Sequence, residues 1–306
     1  MRRAFSDTLF KLAAENPRLA FITGDLGFQV FDEFERAFPT RYVNVGVAEA
    51  QMVYVAAGMA CEGWSPIAYS IASFATARPF EQLRFCVSYP HLPVVLVGAG
   101  RGYTYGTSGV SHHAVDDLAL MTALPNMRVV IPGDPGEIEQ LLPQLLAAKA
   151  PAYFTVGRYG EPRYSAEEPA VLGKARLLRP GKNVAILTTG EMANESLAAY
   201  EILKRVGIQP LLYQFHTVKP LDTLSLDAIS RRVAAMVVVE EHLPNGGLFS
   251  AVASWRVTAV TDALLMRLGP PDRFALGALQ TQELRRRLQY DSEAIAEYCK
   301  MLWRKL

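Results

Sequence analysis

The chain has 306 residues, half of them hydrophobic and a fifth charged, which is enough for two ordinary globular domains with sizeable cores. Lys plus Arg total 31 against 30 for Asp plus Glu, so no net charge draws the chain to nucleic acid or to an anionic membrane. Cys61, Cys86 and Cys299 form neither a metal-ligand cluster nor a disulfide framework. The first residues lack a signal-peptide core, and no apolar run reaches the ~20 residues that span a bilayer. A soluble cytoplasmic protein is expected.

Short β-rich runs alternate with helical ones through the first half. Strands are predicted at 20–23, 42–45, 65–69, 93–97, 128–131 and 152–156, with helices near 48–62, 79–89, 115–124 and 135–148. This alternation favours a mainly parallel sheet with helices on both faces. Between 158 and 182 the pattern lapses into Gly, Pro and charged residues, the signature of a linker. A second alternation then places strands at 184–187, 210–213, 234–239 and 273–275, helices at 192–205 and 248–255, and a terminal helix from Ser292. The fold class is α/β, as two doubly wound domains: residues 1–165, a linker at 166–182, and residues 183–306.

The most informative stretch runs from Val43 to Val53. A β-branched strand enters a turn at Gly46, and a single carboxylate, Glu49, then opens an alanine-rich helix. Burying an acid there is costly unless it has a partner or a task, although an acid at a helix start can also serve the dipole or the cap. The layout resembles the segment with which the pyrimidine-binding domain of transketolase offers a glutamate to the aminopyrimidine ring of thiamine diphosphate. Further segments extend the resemblance in chain order: Arg3-Ala4-Phe5-Ser6, Gly24-Asp25-Leu26, Ser70-Ile71-Ala72-Ser73-Phe74, Gly106-Thr107-Ser108-Gly109-Val110-Ser111-His112-His113, Val156-Gly157-Arg158, Phe215-His216-Thr217-Val218-Lys219-Pro220 and Glu240-Glu241-His242. Together they cover nearly the whole chain.

The resemblance implies roles for particular residues. Glu49 would be the cofactor-activating acid. Phe74 would stack on the pyrimidine, with Ile71 and Ala77 at flanking positions where transketolases often carry further aromatics. Asp25 would help position the pyrimidine end, or merely cap a turn. His112 would contact a substrate hydroxyl or carbonyl; His113 leaves the assignment open by one position, although glycine spacing favours His112. Arg158 would hold a sugar phosphate through bidentate geometry, with Arg3 as a second candidate. Ser108 stands where transketolases usually have an aspartate that reads the donor hydroxyl, and Gly100 falls near an expected histidine, so the donor is in doubt. His216 and His242 read as structural or interface residues.

Nothing resembles the Gly-Asp-Gly … Asn segment with which this family binds the diphosphate and its divalent metal. The resemblance therefore implies the smaller half of a split, two-component transketolase. Its larger partner would hold diphosphate and Mg2+ (or Ca2+), and the two chains would form a heterotetramer acting on a small sugar or aldehyde. The transferred group would be a two-carbon ketol unit from a ketose-type donor. Alternatives are the β-subunit of a 2-oxoacid dehydrogenase E1 component and a non-catalytic scaffold partner. The loop ending in His112, and Val115 to Leu120 after it, resemble transketolase more closely than the first alternative, and Glu49 argues against the second.

Overall fold

The computed structural model describes residues 1–158, 160–164 and 168–306. The expected domain boundary at 165/166 lies outside these residues. In chain order the first half comprises α1 (Arg2–Glu15), β1 (Leu19–Thr23), α2 (Asp32–Ala37), β2 (Tyr42–Asn44), α3 (Glu49–Cys61), β3 (Ser65–Ile71), α4 (Ala72–Ala77), α5 (Phe80–Gln82), β4 (Val95–Ala99), α6 (Asp117–Ala123), β5 (Arg128–Val130), α7 (Pro135–Ala147) and β6 (Ala152–Val156). The second half follows with β7 (Arg176–Arg179), β8 (Asn183–Thr188), α8 (Met192–Lys204), β9 (Leu211–Gln214), β10 (Thr217–Lys219), α9 (Thr223–Ser230), β11 (Val233–Val239), α10 (Leu248–Thr258), β12 (Leu264–Leu268), α11 (Thr281–Arg287) and α12 (Ser292–Lys305).

Two sheets result, with strand orders β10-β5-β6-β4-β3-β1-β2 and β12-β11-β8-β9-β7. All pairings are parallel except β10 with β5 and β7 with β9, in agreement with the expected α/β class. The continuous apolar runs of β1, β4 and β6 are buried throughout, as central strands covered by helices on both faces must be. Local chemistry sets several helix starts. Asp134 accepts from the Glu137 amide at 2.8 Å ahead of Pro135, and Asp291 accepts from the Ala294 amide at 3.0 Å. In α12 the buried residues Ile295, Ala296, Cys299 and Leu302 form one helical stripe.

Three strands, β7, β10 and β12, and the helices α1, α2, α4, α9 and α11 stand outside the expected pattern. β7 lies inside the stretch read as linker and adds antiparallel to β9. β10, three residues long before Pro220, leaves the second half of the chain and pairs with β5 at the edge of the first sheet. The strand expected at 273–275 is not one. The place beside β11 belongs to β12, with Ala235 opposite Leu264 and Val239 opposite Leu268. Pro270 and Pro271, which have no amide hydrogen for a ladder, follow directly.

The halves are joined by buried polar contacts that centre on Glu241. Its carboxylate accepts from Arg285 Nε at 2.5 Å, Arg285 Nη2 at 3.2 Å, the Tyr290 hydroxyl at 3.1 Å and, across the junction, the Tyr103 amide at 2.9 Å. Burial alone would raise this carboxyl; the charge and hydrogen bonds of Arg285 outweigh it and hold Glu241 below the ordinary range. Arg101, fully buried, donates to the Glu241 carbonyl at 3.1 Å and pairs with Asp117 at 3.4 Å and Glu191 at 3.8 Å. His242 Nε2 accepts from the Ala119 amide at 3.2 Å, and burial drives its imidazole down to about 4. His216 is likewise buried and held at about 4, which accords with structural roles for both. Glu191 moves the other way: desolvation raises it to about 7, above its ordinary 4.5, against the pull of Arg101.

Two predictions follow from this junction. Glu241→Ala leaves Arg285 buried without its main carboxylate and should cost about 3–5 kcal/mol, read as a fall in the urea midpoint. For Glu191, whose folded pKa is raised, the folded state holds a proton that the unfolded state has lost between pH 4.5 and about 7. Its contribution to stability therefore declines as pH rises through that window, and Glu191→Gln should flatten the decline in pH-dependent unfolding curves.

Candidate active site

The candidate residues gather at the carboxyl ends of neighbouring parallel strands, where open α/β sheets present their ligand crevices. Asp25 follows β1, Gly46 and Glu49 follow β2, Ser70 and Ile71 end β3, the loop carrying His112 follows β4, and Arg158 follows β6. Glu49 is buried for a reason visible in its helix: the buried positions of α3 are Glu49, Met52, Val53, Ala56, Ala57 and Ala60, one stripe at helical spacing. Gly46 makes the preceding turn with φ of +74°, a conformation costly for any residue with a Cβ. Asn44 locks that turn, accepting from the Gly46 amide at 2.9 Å and the Asp25 amide at 3.1 Å while donating to Asp25 Oδ1 at 3.0 Å.

Glu49 Oε1 accepts from the Ser70 hydroxyl at 3.1 Å, and Oε2 accepts from Arg78 Nη1 at 2.8 Å. The Arg78 guanidinium also lies over the Phe74 ring, 4.0 Å from its centroid. Phe74 meets the His112 imidazole edge-on at 5.1 Å, and His112 meets Tyr105 at 5.9 Å. Tyr105 in turn accepts from Arg2 Nη2 at 2.9 Å and lies under the Arg158 guanidinium at 5.0 Å. Arg2 and Arg158 line a cavity of about 430 Å³ together with Arg3 and Arg36 and with the carboxylates Asp7, Asp32 and Glu33, so cations and acids share its wall. A continuous line of contacts thus runs from the buried acid through Phe74, His112 and Tyr105 to a hollow that Arg2 and Arg158 share with carboxylates.

The loop bearing His112 is held at both ends. Gly102 and Ala114 exchange backbone bonds at 2.8 and 2.9 Å, and the Ser73 hydroxyl donates to the Ser111 carbonyl at 3.1 Å. At Gly102, φ is +61° and a Cβ would collide with the Glu241 carboxylate, so only glycine fits. His112 and His113 separate sharply. His113 is buried against Tyr103 with Nε2 on the Gly106 carbonyl at 3.2 Å, whereas the partly exposed His112 faces Phe74.

The structure does not bring every candidate together. Asp25 is exposed and occupied with Asn44. Ser108 is exposed on a 3-10 turn, Gly106–Ser108. Arg3 points its side chain, 93% exposed, towards Asp7 at 3.7 Å, although it also lines the arginine-rich hollow. Ile71 caps the start of α4, three residues before Phe74. Four residues that the sequence reading gave no role belong to the line: Arg2, Ser70, Arg78 and Tyr105. Two had a signal. Arg2 lies three positions before the buried Phe5 and four before Ser6, on the inward side of α1, and Arg78 lies four after Phe74, one helical turn away.

These residues fit an aminopyrimidine. A buried carboxylate at a helix start beside an aromatic face already holds a planar, N–H-donating group, the Arg78 guanidinium, stacked on Phe74 and bonded to Glu49. They do not fit a metal ion: among the described residues no three His, Cys, Asp or Glu side chains converge to hold one.

Residues 1–159 match the transketolase pyrimidine-binding domain, and residues 173–295 match the transketolase C-terminal domain. A protein of Methanocaldococcus jannaschii named as a transketolase C-terminal section is 35% identical over 97% of this chain and 94% of its own. The 6-deoxy-6-sulfo-D-fructose transketolase subunit SqwH of a Clostridium species, strain MSTE9, is 36% identical over 83% of this chain and 79% of its own. A solved structure described as a split-gene transketolase in an inactive β4 tetramer superposes with a TM-score of 0.87 at 30% identity, covering 98% of this chain and 97% of that one. The chain belongs to the transketolase family and carries its pyrimidine-binding and C-terminal domains.

A further prediction concerns the arginine-lined hollow. Inorganic phosphate titrated against the full chain should bind more weakly, by ~1.5–3 kcal/mol, after Arg158→Ala or Arg2→Ala, since a charge-assisted hydrogen bond is lost. Arg3→Ala should change the titration by less than about 0.5 kcal/mol, because its exposed charge is screened.

Proposed function

We propose that this chain is the pyrimidine-side subunit of a split, thiamine-diphosphate-dependent transketolase that moves a two-carbon ketol unit from a ketose-type donor to an aldehyde acceptor. The observation that carries this reading is the convergence of Glu49, Phe74 and His112 at the carboxyl ends of β2, β3 and β4. A larger subunit would hold the diphosphate and the Mg2+ or Ca2+, for which this chain offers no cluster among its described residues. Names of relatives as a transketolase C-terminal section and as a transketolase subunit support the division into two chains. The inactive β4 assembly of a relative at 30% identity supports self-association and a need for the larger partner.

Thiamine diphosphate, when bound, supplies the nucleophilic carbon that takes up the ketol unit and hands it on. This chain would supply the acid, the aromatic face and the imidazole around the pyrimidine end. Glu49 would hydrogen-bond the pyrimidine ring nitrogen through its carboxyl group, and the Ser70 hydroxyl, donating to Oε1 at 3.1 Å, orients that group. Phe74 offers a flat apolar face for the ring, an interaction of ~0.5–1.5 kcal/mol. His112, oriented by the Ser111 hydroxyl at 3.0 Å, donates to or accepts from a substrate hydroxyl or carbonyl. Arg2 and Arg158, converging on Tyr105, would anchor an anionic end of the substrate such as a phosphate or a sulfonate. With Ser108 in place of an acid, a charge-assisted contact to the donor hydroxyl is lost, and the donor would differ from the usual pentose phosphates.

The deciding experiment is co-expression with the larger subunit, calorimetric titration with thiamine diphosphate and magnesium, and a ketol-transfer assay with a panel of ketose donors. Saturable binding and transfer by the pair, absent from this chain alone, is the expected result. Release of electrons from a 2-oxoacid would instead identify a dehydrogenase subunit. Binding without either reaction would identify a scaffold. In the active pair, Glu49→Gln should leave cofactor affinity within a few-fold and reduce kcat by about 10²–10⁴-fold, the scale of a lost acid–base group.

A further inference from the structure

Arg78 makes two contacts that a bound cofactor would need for itself. Its Nη1 donates to Glu49 Oε2 at 2.8 Å, and its guanidinium carbon lies 4.0 Å above the centre of the Phe74 ring. The same planar group thus engages the acid and the aromatic face at once. A ring cannot enter the layer above Phe74 while a guanidinium lies there, because stacked aromatic centroids themselves need about 4.5 Å or more.

We propose that Arg78 is the resting occupant of the pyrimidine place in the cofactor-free chain, and that it turns out to solvent when the aminopyrimidine ring arrives. This rests on the cofactor reading under Proposed function. Three observations support the exchange. First, the two partners differ in freedom: the Glu49 side chain is 2% exposed and that of Arg78 is 46% exposed. The acid is fixed in the buried stripe of α3, so only the arginine can leave, and its head regains water when it does. Second, the cofactor-free chain needs such a group. A buried carboxylate left with the Ser70 hydroxyl as its one other partner among the described residues would be poorly compensated. Third, the exchange conserves chemistry, since one planar donor stacked on Phe74 and bonded to Glu49 is replaced by another. Arg78 sits immediately after α4, where a change of rotamer disturbs no helical hydrogen bond of its own side chain.

The arrangement makes cofactor binding competitive with an internal ion pair. Apparent affinity falls by the fraction of molecules in which Arg78 is displaced, and it recovers when the competitor is removed. Arg78 is on this account neither an acid nor a base of the reaction. It protects the acid until both the partner subunit and the cofactor are in place.

The test is calorimetric titration of thiamine diphosphate, at saturating magnesium, into the complex of the full chain with its diphosphate-binding subunit. Wild type is compared with Arg78→Ala and Arg78→Gln, the second retaining a hydrogen bond to Glu49 without the charge. The expected result is binding about tenfold tighter in Arg78→Ala and an intermediate gain in Arg78→Gln. A second readout is thermal unfolding of the cofactor-free chain: Arg78→Ala should melt below wild type. Equal or weaker cofactor binding in both variants overturns the inference, because Arg78 would then stay in place and assist the ring. If thiamine diphosphate binds neither wild type nor variants, the cofactor reading itself fails and the inference falls with it. If Arg78→Ala does not fold, Arg78→Gln decides on the same terms.

Discussion

The rest of the structure depends on the buried carboxylate of Glu241. It is a charge taken out of water, and it is tolerable only because Arg285, Tyr290 and the Tyr103 amide satisfy it from three directions. The third of these lies in the other half of the chain. A group that must be fully bonded to be buried therefore dictates how the halves dock, and Arg101 completes the joint by bonding the Glu241 carbonyl. The consequence reaches the candidate site, because Tyr103 opens the loop that carries His112. Gly102, just ahead of it, pairs with Ala114 and has no room for a side chain beside Glu241. A polar junction between domains thus fixes a loop on the far side of which substrate chemistry is proposed.

The site itself has a simple layout. One buried acid sits at one end, a hollow lined by arginines and carboxylates at the other, and Phe74, His112 and Tyr105 run between them as a strip of rings. Glu49 opens α3 after β2, whereas Arg2 lies on α1 and Arg158 follows β6, so the acid and these arginines come from different elements around the same sheet. Parallel order puts the ends of β2, β1, β3, β4 and β6 side by side, so residues more than a hundred positions apart become neighbours. Arg78 is the exception to the separation, a half-exposed cation beside the acid, immediately after the short helix α4.

Much of the fold was legible in the chain. Glu49 at the head of an alanine-rich stripe, the uninterrupted apolar runs of the inner strands, and the Asp-Pro and Asp-Ser helix starts all express local physics, namely period, capping and turn chemistry. Some misses were local, as with α1, whose buried stripe Phe5, Leu9 and Ala13 is readable in the chain, and others were tertiary. β7 and β10 are too short and too polar to announce themselves, and each exists because a neighbour offers an open edge. The segment 273–275 has the composition of a strand, but Pro270 and Pro271 and the better register of β12 exclude it from the sheet. At the site, the choice between His112 and His113 could be guessed from glycine spacing, whereas the choice of Arg2 as the partner of Tyr105 turned on which face of α1 is buried.

By itself the sequence determined the fold class, the position of the acid and the loop that would face it, because these follow from residue period, glycine placement and side-chain chemistry along short stretches. Only the tertiary structure decided which groups meet. Ion pairs such as Arg78 with Glu49, and clamps such as Glu241 with Tyr103, join residues 29 and 138 positions apart. Their geometry depends on sheet order and domain docking, and no local pattern encodes a distance of that kind.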